Sequence, residues 1–216
     1  MEKFILLGPG RCGSEMIGKS LQQHPDIIFF GEVFNRYSPA LDKTLFEMDL
    51  NYDLMDEESH RKICKKKVCI SAHKKYDGFK LLFGHIHNDV EEYLNETKVV
   101  LLLRNPFKLI LSSCVATMTN KWQSDKPFVG TIYLDPKDIE NRIEYQLSLV
   151  SKYKKYSDLT IRYEDDFQSN YDKVCNLVNV SVFTPKILTH IRITRPLSEV
   201  IENYEEVKHL DKQYDF

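Results

Sequence analysis

A short apolar run that breaks into glycines constrains this chain more than any other feature. Lys3 to Leu7 reads as a buried strand and runs into Gly8-Pro9-Gly10-Arg11-Cys12-Gly13. The next residues place Met16, Ile17, Ser20 and Leu21 on one helical face, and His24-Pro25 stops that helix. A strand that turns through glycines into a helix makes an anion site, because the first backbone N–H groups of the helix point outward and its dipole adds partial positive charge.

Two registers compete for this loop. Gly13 to Ser20 spells the Walker A pattern G-x-x-x-x-G-K-S. In that register Lys19 falls more than a turn into the helix, and the loop would contain the core-facing Met16 and Ile17. The register that starts at the strand end is physically better. Gly8 to Gly13 forms the loop, Ser14 and Glu15 open the helix, and Arg11 supplies the positive charge.

Beyond this unit, strands and helices alternate. Ile27 to Phe30 predicts a short strand ending at Gly31-Glu32, and Phe79 to Phe83 predicts another. Lys98 to Leu103 is continuous and apolar, as parallel strands buried on both faces are. Asn88 with Glu91, Asn105-Pro106 and Asp135-Pro136 read as helix starts, and Ile139, Ile143, Leu147 and Val150 keep helical spacing. Leu159 to Tyr163 predicts a strand followed by a helix through Val174, Leu177 and Val178, and a last amphipathic helix is expected over roughly Pro196 to Tyr204. This alternation argues for an α/β layered fold with a parallel sheet. Residues 35–78 carry no clean period and read as a variable, partly helical insertion within a single domain over 1–216.

Composition narrows the class. Thirty Lys and Arg against 32 Asp and Glu leave a net charge of −2, so no global basic field points to nucleic acid. The longest apolar runs are too short to span a bilayer, and no signal-peptide pattern opens the chain. Five scattered cysteines favour free thiols in a reducing compartment, so a cytoplasmic location is expected. The sequence is silent on oligomeric state.

A second strand end repeats the logic of the first. Arg104 follows Leu101-Leu102-Leu103, where open α/β sheets bind ligands, and Ser112 lies eight residues on. A Walker B strand would carry a metal-binding Asp there; the arginine favours an anion held without Mg²⁺.

These residues together resemble the sulfotransferases. Pro9-Gly10-Arg11-Cys12-Gly13-Ser14 is similar to their 5′-phosphosulfate loop, and Arg104-Asn105-Pro106 with Ser112 to their 3′-phosphate motif. His24-Pro25-Asp26-Ile27 and Gly31-Glu32-Val33-Phe34 resemble bacterial and carbohydrate-type members. Arg162-Tyr163-Glu164-Asp165, Arg195-Pro196-Leu197-Ser198 and Ile201-Glu202-Asn203-Tyr204 resemble later segments of bacterial and phage members. Cys12 and Glu15 depart from the usual hydroxyl residues, and Glu15 is expected to turn away from a bound anion.

The resemblance implies a three-layer, P-loop-like α/β fold, with a central parallel β-sheet flanked by helices. It implies transfer of a sulfuryl group from 3′-phosphoadenosine 5′-phosphosulfate to a hydroxyl or amine of a small-molecule, lipid or carbohydrate acceptor, without a metal. Gly10, Arg11, Cys12, Gly13, Ser14 and Glu15 would line the phosphosulfate. Arg104 and Ser112 would hold the 3′-phosphate, with Arg192 or Arg195 closing over that phosphate, and Tyr163 would contact adenine. Glu32 is the first candidate for general base and His85 the reserve, with Lys80 stabilising the transferring group and His87 nearby. Residues 35–78 and 115–135 are expected to shape the acceptor site, and the aromatics Trp122, Phe128 and Tyr133 either line it or pack in the core. The alternatives are a P-loop kinase or NTPase, and an inactive nucleotide-binding scaffold. His60, Cys64, Cys69 and His73 have metal-ligand types but strained spacing, and read as structural.

Overall fold

The computed structural model describes residues 1–34, 65–86, 88–122, 126–187, 193–212 and 214. Its centre is a five-stranded parallel sheet of β1 (Phe4–Gly8), β2 (Phe29–Glu32), β3 (Gly78–Leu82), β4 (Lys98–Leu103) and β5 (Leu159–Arg162), in the order β2-β3-β1-β4-β5. Numbered among the described residues, the helices are α1 (Ser14–Leu21), α2 (Lys65–Lys75), α3 (Asn88–Leu94), α4 (Pro106–Thr119), α5 (Pro136–Lys154), α6 (Phe167–Leu177), α7 (Leu197–Val200) and α8 (Tyr204–Val207). The expected three-layer α/β architecture is therefore present.

Alternation along the central strands divides the core. Phe4 and Leu6 of β1 join Val100 and Leu102 of β4, packing with Ile17 and Leu21 of α1, Phe107 and Ile110 of α4, and Val174 of α6. Ile5, Leu7, Val99, Leu101 and Leu103 turn to the opposite face, where Val68 and Ala72 of α2, Val90 and Leu94 of α3 and Val150 of α5 cover them. Successive side chains of a strand point to opposite faces, so a strand covered on both sides must be apolar throughout. The helix starts follow the same local rules. Asn105, Asp135 and Asp166 each accept a main-chain N–H from the first turn of α4, α5 and α6.

Two expectations change, and a third gains detail. β2 runs Phe29–Glu32, two residues later than expected, because Ile28 is 60% exposed and is held outside the strand by Asp77. The stretch 35–78, read as a partly helical insertion, contains α2 in its described part, with Val68, Cys69 and Ala72 buried against the sheet. Residues 35–64 lie outside the described residues. The single helix expected over 196–204 is two short ones, because Ile201 is extended and pairs in parallel with Ile132. Asn203 fixes the break, accepting from Leu134 N–H at 3.1 Å and donating to Leu134 C=O at 2.8 Å.

His73 on α2 explains how a histidine sits in that layer. Its Nε2 donates to Phe4 C=O at 3.0 Å, which leaves Nδ1 to accept from the Tyr93 hydroxyl. Burial lowers its pKa to about 4. The native state thus refuses a proton that the unfolded chain binds below about pH 6.5. The stabilisation is complete above that pH and is lost as pH falls towards 4. Urea unfolding should show about 2 kcal/mol less stability at pH 5 than at pH 7.5 from this group alone. A His73→Asn variant should be less stable at neutral pH and should show a flatter slope across that window. An equal slope would place the titration elsewhere.

Candidate active site

The carboxyl ends of β1, β3 and β4 and the start of α1 gather the candidate residues. The Gly8–Gly13 loop enters α1 through Gly13, whose φ is +93°. A Cβ there would fall 2.2 Å from Cδ2 of Tyr163, so only glycine suits both the backbone and the close approach. Arg11 also has a positive φ of 69°, unusual for a residue with a side chain. Arg104 Nη1 donates to Arg11 C=O at 2.9 Å, and its guanidinium lies 4.4 Å from the centre of the Tyr163 ring. Arg104 therefore braces the strained loop. Its Nε is buried without a hydrogen-bond partner.

Arg11 reaches across to α4. Its Nε donates to Ser112 Oγ at 3.2 Å and its Nη1 to the Trp122 carbonyl at 2.5 Å. Arg11, Arg104 and Ser112 thus meet, with Tyr163 packed beside Gly13. Cys12 is fully buried in the core beneath the loop, and burial pushes its thiol up. Ser14 is buried at the helix start, whereas Gly10 has open space where a side chain would stand. Arg195 donates to the carbonyls of Val129 and Gly130, and its Nε is buried without a partner. Arg192 and His87 lie outside the described residues.

A second cluster stands at the ends of β2 and β3. Phe30 pairs with Phe79, but Glu32 pairs with Lys80, so Gly31 is an extra residue in β2. Phe30 and Phe79 belong to the apolar cluster under α2, and strict alternation would send Glu32 there too. The bulge turns it over. Glu32 Oε2 lies 3.0 Å from Lys80 Nζ and Oε1 lies 3.4 Å from His85 Nε2. All three side chains are largely buried, at 15%, 11% and 18% exposure. Glu15 reaches this group, placing its oxygens 3.7 Å from Lys80 and 3.3 Å from Lys19.

Lys19 sits in the last turn of α1 at 40% side-chain exposure, and Ser20 is buried with its hydroxyl on Met16 C=O. Neither faces the glycine loop as a Walker A pair must. Position by position from the strand end, Ser14 and Glu15 follow the last loop glycine. His24 of the His-Pro motif is a core residue: Nδ1 accepts from Asp26 N–H and Nε2 donates to Ser181 C=O.

Sequence reasoning missed a clamp beside Arg104. Asn105 donates to Asp211 and to Lys212 C=O, both at 3.1 Å, and Arg162 donates to Tyr214 C=O at 2.8 Å. Contacts across more than fifty residues leave no local pattern to read. The carbonyl that receives Arg11 has no signature either, since every residue carries one. Of the four metal-type residues, His60 and Cys64 lie outside the described residues. Both nitrogens of His73 are engaged in the core. Among the described residues no group of three or more His, Cys, Asp or Glu is arranged to hold a metal, and no helix is long and apolar enough to cross a membrane. Cys12, Cys114 and Cys175 are free thiols.

No family model matches the sequence, and no curated protein is significantly similar to it. Solved structures share the fold. A shikimate kinase from Acinetobacter baumannii in complex with shikimate aligns with a TM-score of 0.51 at 15% identity, over 83% of this chain and 93% of that one. A sulfotransferase from Alicyclobacillus acidocaldarius aligns with a TM-score of 0.50 at 13% identity, over 88% of this chain and 86% of that one. A mouse sulfotransferase complexed with PAP aligns with a TM-score of 0.50 at 14% identity, over 85% of this chain and 60% of that one. At these identities the likeness establishes a P-loop-like fold, common to sulfotransferases and shikimate kinases.

Proposed function

We propose that this protein transfers a sulfuryl group from 3′-phosphoadenosine 5′-phosphosulfate to an acceptor hydroxyl or amine. The observation that carries the reading is the meeting of Arg11, Ser112 and Arg104 at the ends of β1 and β4. Two features fit an anionic donor there: the orphaned, buried Nε of Arg104 and the bare backbone of Gly13 at a helix start. Arg11 and the main chain of Gly13 and Ser14 would hold the phosphosulfate, and Arg104 with Ser112 the 3′-phosphate. When bound, the donor supplies an activated sulfuryl group and a phosphate leaving group. The chain's own share is positioning and charge: arginines against the leaving phosphate, Lys80 near the transferring group, and Glu32 or His85 for the acceptor proton.

A kinase or NTPase is the second reading, favoured by the Walker-like string and by the shikimate kinase fold likeness. The position of Lys19, in the last turn of α1 and paired with Glu15, weighs against it. Thermal unfolding separates the two. At a hundredfold excess over its Kd, 3′,5′-adenosine bisphosphate should stabilise the protein by about 2.7 kcal/mol without Mg²⁺, a rise of about 5–10 °C in Tm. Arg104→Ala should abolish the rise. A response confined to Mg·ATP would overturn the sulfuryl-transfer reading in favour of the second.

A further inference from the structure

We propose that His85 is a positioning residue, fixed with its proton on Nε2 and aimed at Glu32, so that Glu32 alone is left to take the acceptor's proton. This rests on the sulfuryl-transfer reading for its chemistry, though the placement of the proton does not.

A main-chain donor fixes the imidazole. Leu82 is the last residue of β3, and the chain then enters the short 3₁₀ turn Phe83–His85. The turn folds the imidazole back so that Leu82 N–H donates to His85 Nδ1 at 3.1 Å. A backbone N–H can only donate, so Nδ1 must present its lone pair there. The neutral ring therefore carries its hydrogen on Nε2. That nitrogen lies 3.4 Å from Glu32 Oε1.

Both ring nitrogens are thereby committed. Nδ1 spends its lone pair on Leu82, and Nε2 has a hydrogen in place of one. A general base needs a free lone pair within reach of the acceptor proton, and this imidazole presents none. Glu32 is differently placed. Its carboxylate has several acceptor directions, of which Lys80 at 3.0 Å and His85 at 3.4 Å engage only some. Among the described residues, the charged groups around the pair include Lys80 of β3 and, one step beyond it, Glu15 and Lys19 of α1. The Phe34 ring meets the imidazole edge to face, with ring centres 5.7 Å apart. Packing on one side and the Leu82 N–H on another leave the ring a single useful orientation.

The test has two parts. First, the full-length protein with ¹⁵N-labelled histidine rings is compared with His85→Gln by NMR to assign the His85 signals among the seven histidines. The expected signature is a protonated Nε2 and an acceptor-type Nδ1 at neutral pH. A protonated Nδ1 overturns the proposal, whatever reaction the protein catalyses. Second, sulfuryl transfer is followed against pH. His85→Gln retains an amide N–H for Glu32, so its kcat should stay within about tenfold of wild type, less than the loss of a base. His85→Ala should lose up to about 10²-fold through misplacement of Glu32. Both should keep the acid limb of the wild-type profile, since neither removes the proposed base. Disappearance of that limb in His85→Gln would identify His85 as the base. If no sulfuryl transfer is found at all, the function proposed above fails, while the NMR result still decides where the His85 proton sits.

Discussion

Glu32→Gln is expected to lower kcat for sulfuryl transfer by about 10²–10⁴-fold, the usual contribution of a positioned general base. Binding of 3′,5′-adenosine bisphosphate should be unchanged, because the Arg11–Ser112–Arg104 group stands on the loop after β1, the end of β4 and α4. The substitution is nearly isosteric and removes only the charge and the basicity. Lys80 keeps Glu15 at 3.7 Å, so its ammonium is not stranded. Steady-state kinetics beside calorimetric titration of the bisphosphate make the check. Full activity in Glu32→Gln would dismiss the assignment. A joint loss of activity and binding would show that the residue supports the fold. Bisphosphate binding without any transfer, in the wild-type protein, would favour the scaffold reading.

Gly13→Ala is the second large effect. Alanine at φ +93° is strained, and its Cβ would overlap Tyr163 at 2.2 and 2.6 Å from two ring carbons. The ring cannot simply yield, since Arg104 lies over it and is itself tied to the Arg11 carbonyl. A cost of about 3 kcal/mol or more in urea unfolding is expected, together with loss of the bisphosphate-induced rise in Tm. Adding Tyr163→Ala removes the obstacle. The double variant should therefore recover part of the stability that additivity would subtract. Strict additivity would mean that ring and loop are not coupled, and that Arg104 braces the loop by itself.

Legibility in the sequence followed the reach of the interactions. β1 and β4 announce themselves because both faces are covered, which demands unbroken apolar runs. α5 is visible because Asp135-Pro136 starts it and Ile139 and Ile143 face the core. α2 was not, since a basic helix with only Val68, Cys69 and Ala72 as its buried apolar residues shows no clear stripe. The strand-end rule also singles out Arg11, Arg104 and Ser112, because it depends only on where strands stop. What it misses is direction. Glu15 joins Lys80, a side chain 65 residues away, across the β1–β3 pair. Likewise Glu32 and His85 stand out individually, but the Leu82 N–H that distinguishes their roles is a main-chain group.

The bulge at Gly31 also bears on how faithfully the chain assembles. β2 is a four-residue edge strand, the kind whose pairing can slip most easily. Paired with β3 in strict alternation, it would press the Glu32 carboxylate among Phe79, Leu81 and Val33 instead of beside Lys80. An unpaired carboxylate buried there is costly enough to make that alignment uncompetitive. The residue proposed as the base thus also proofreads the folding of its own strand, and a mispaired edge is rejected before any ligand arrives.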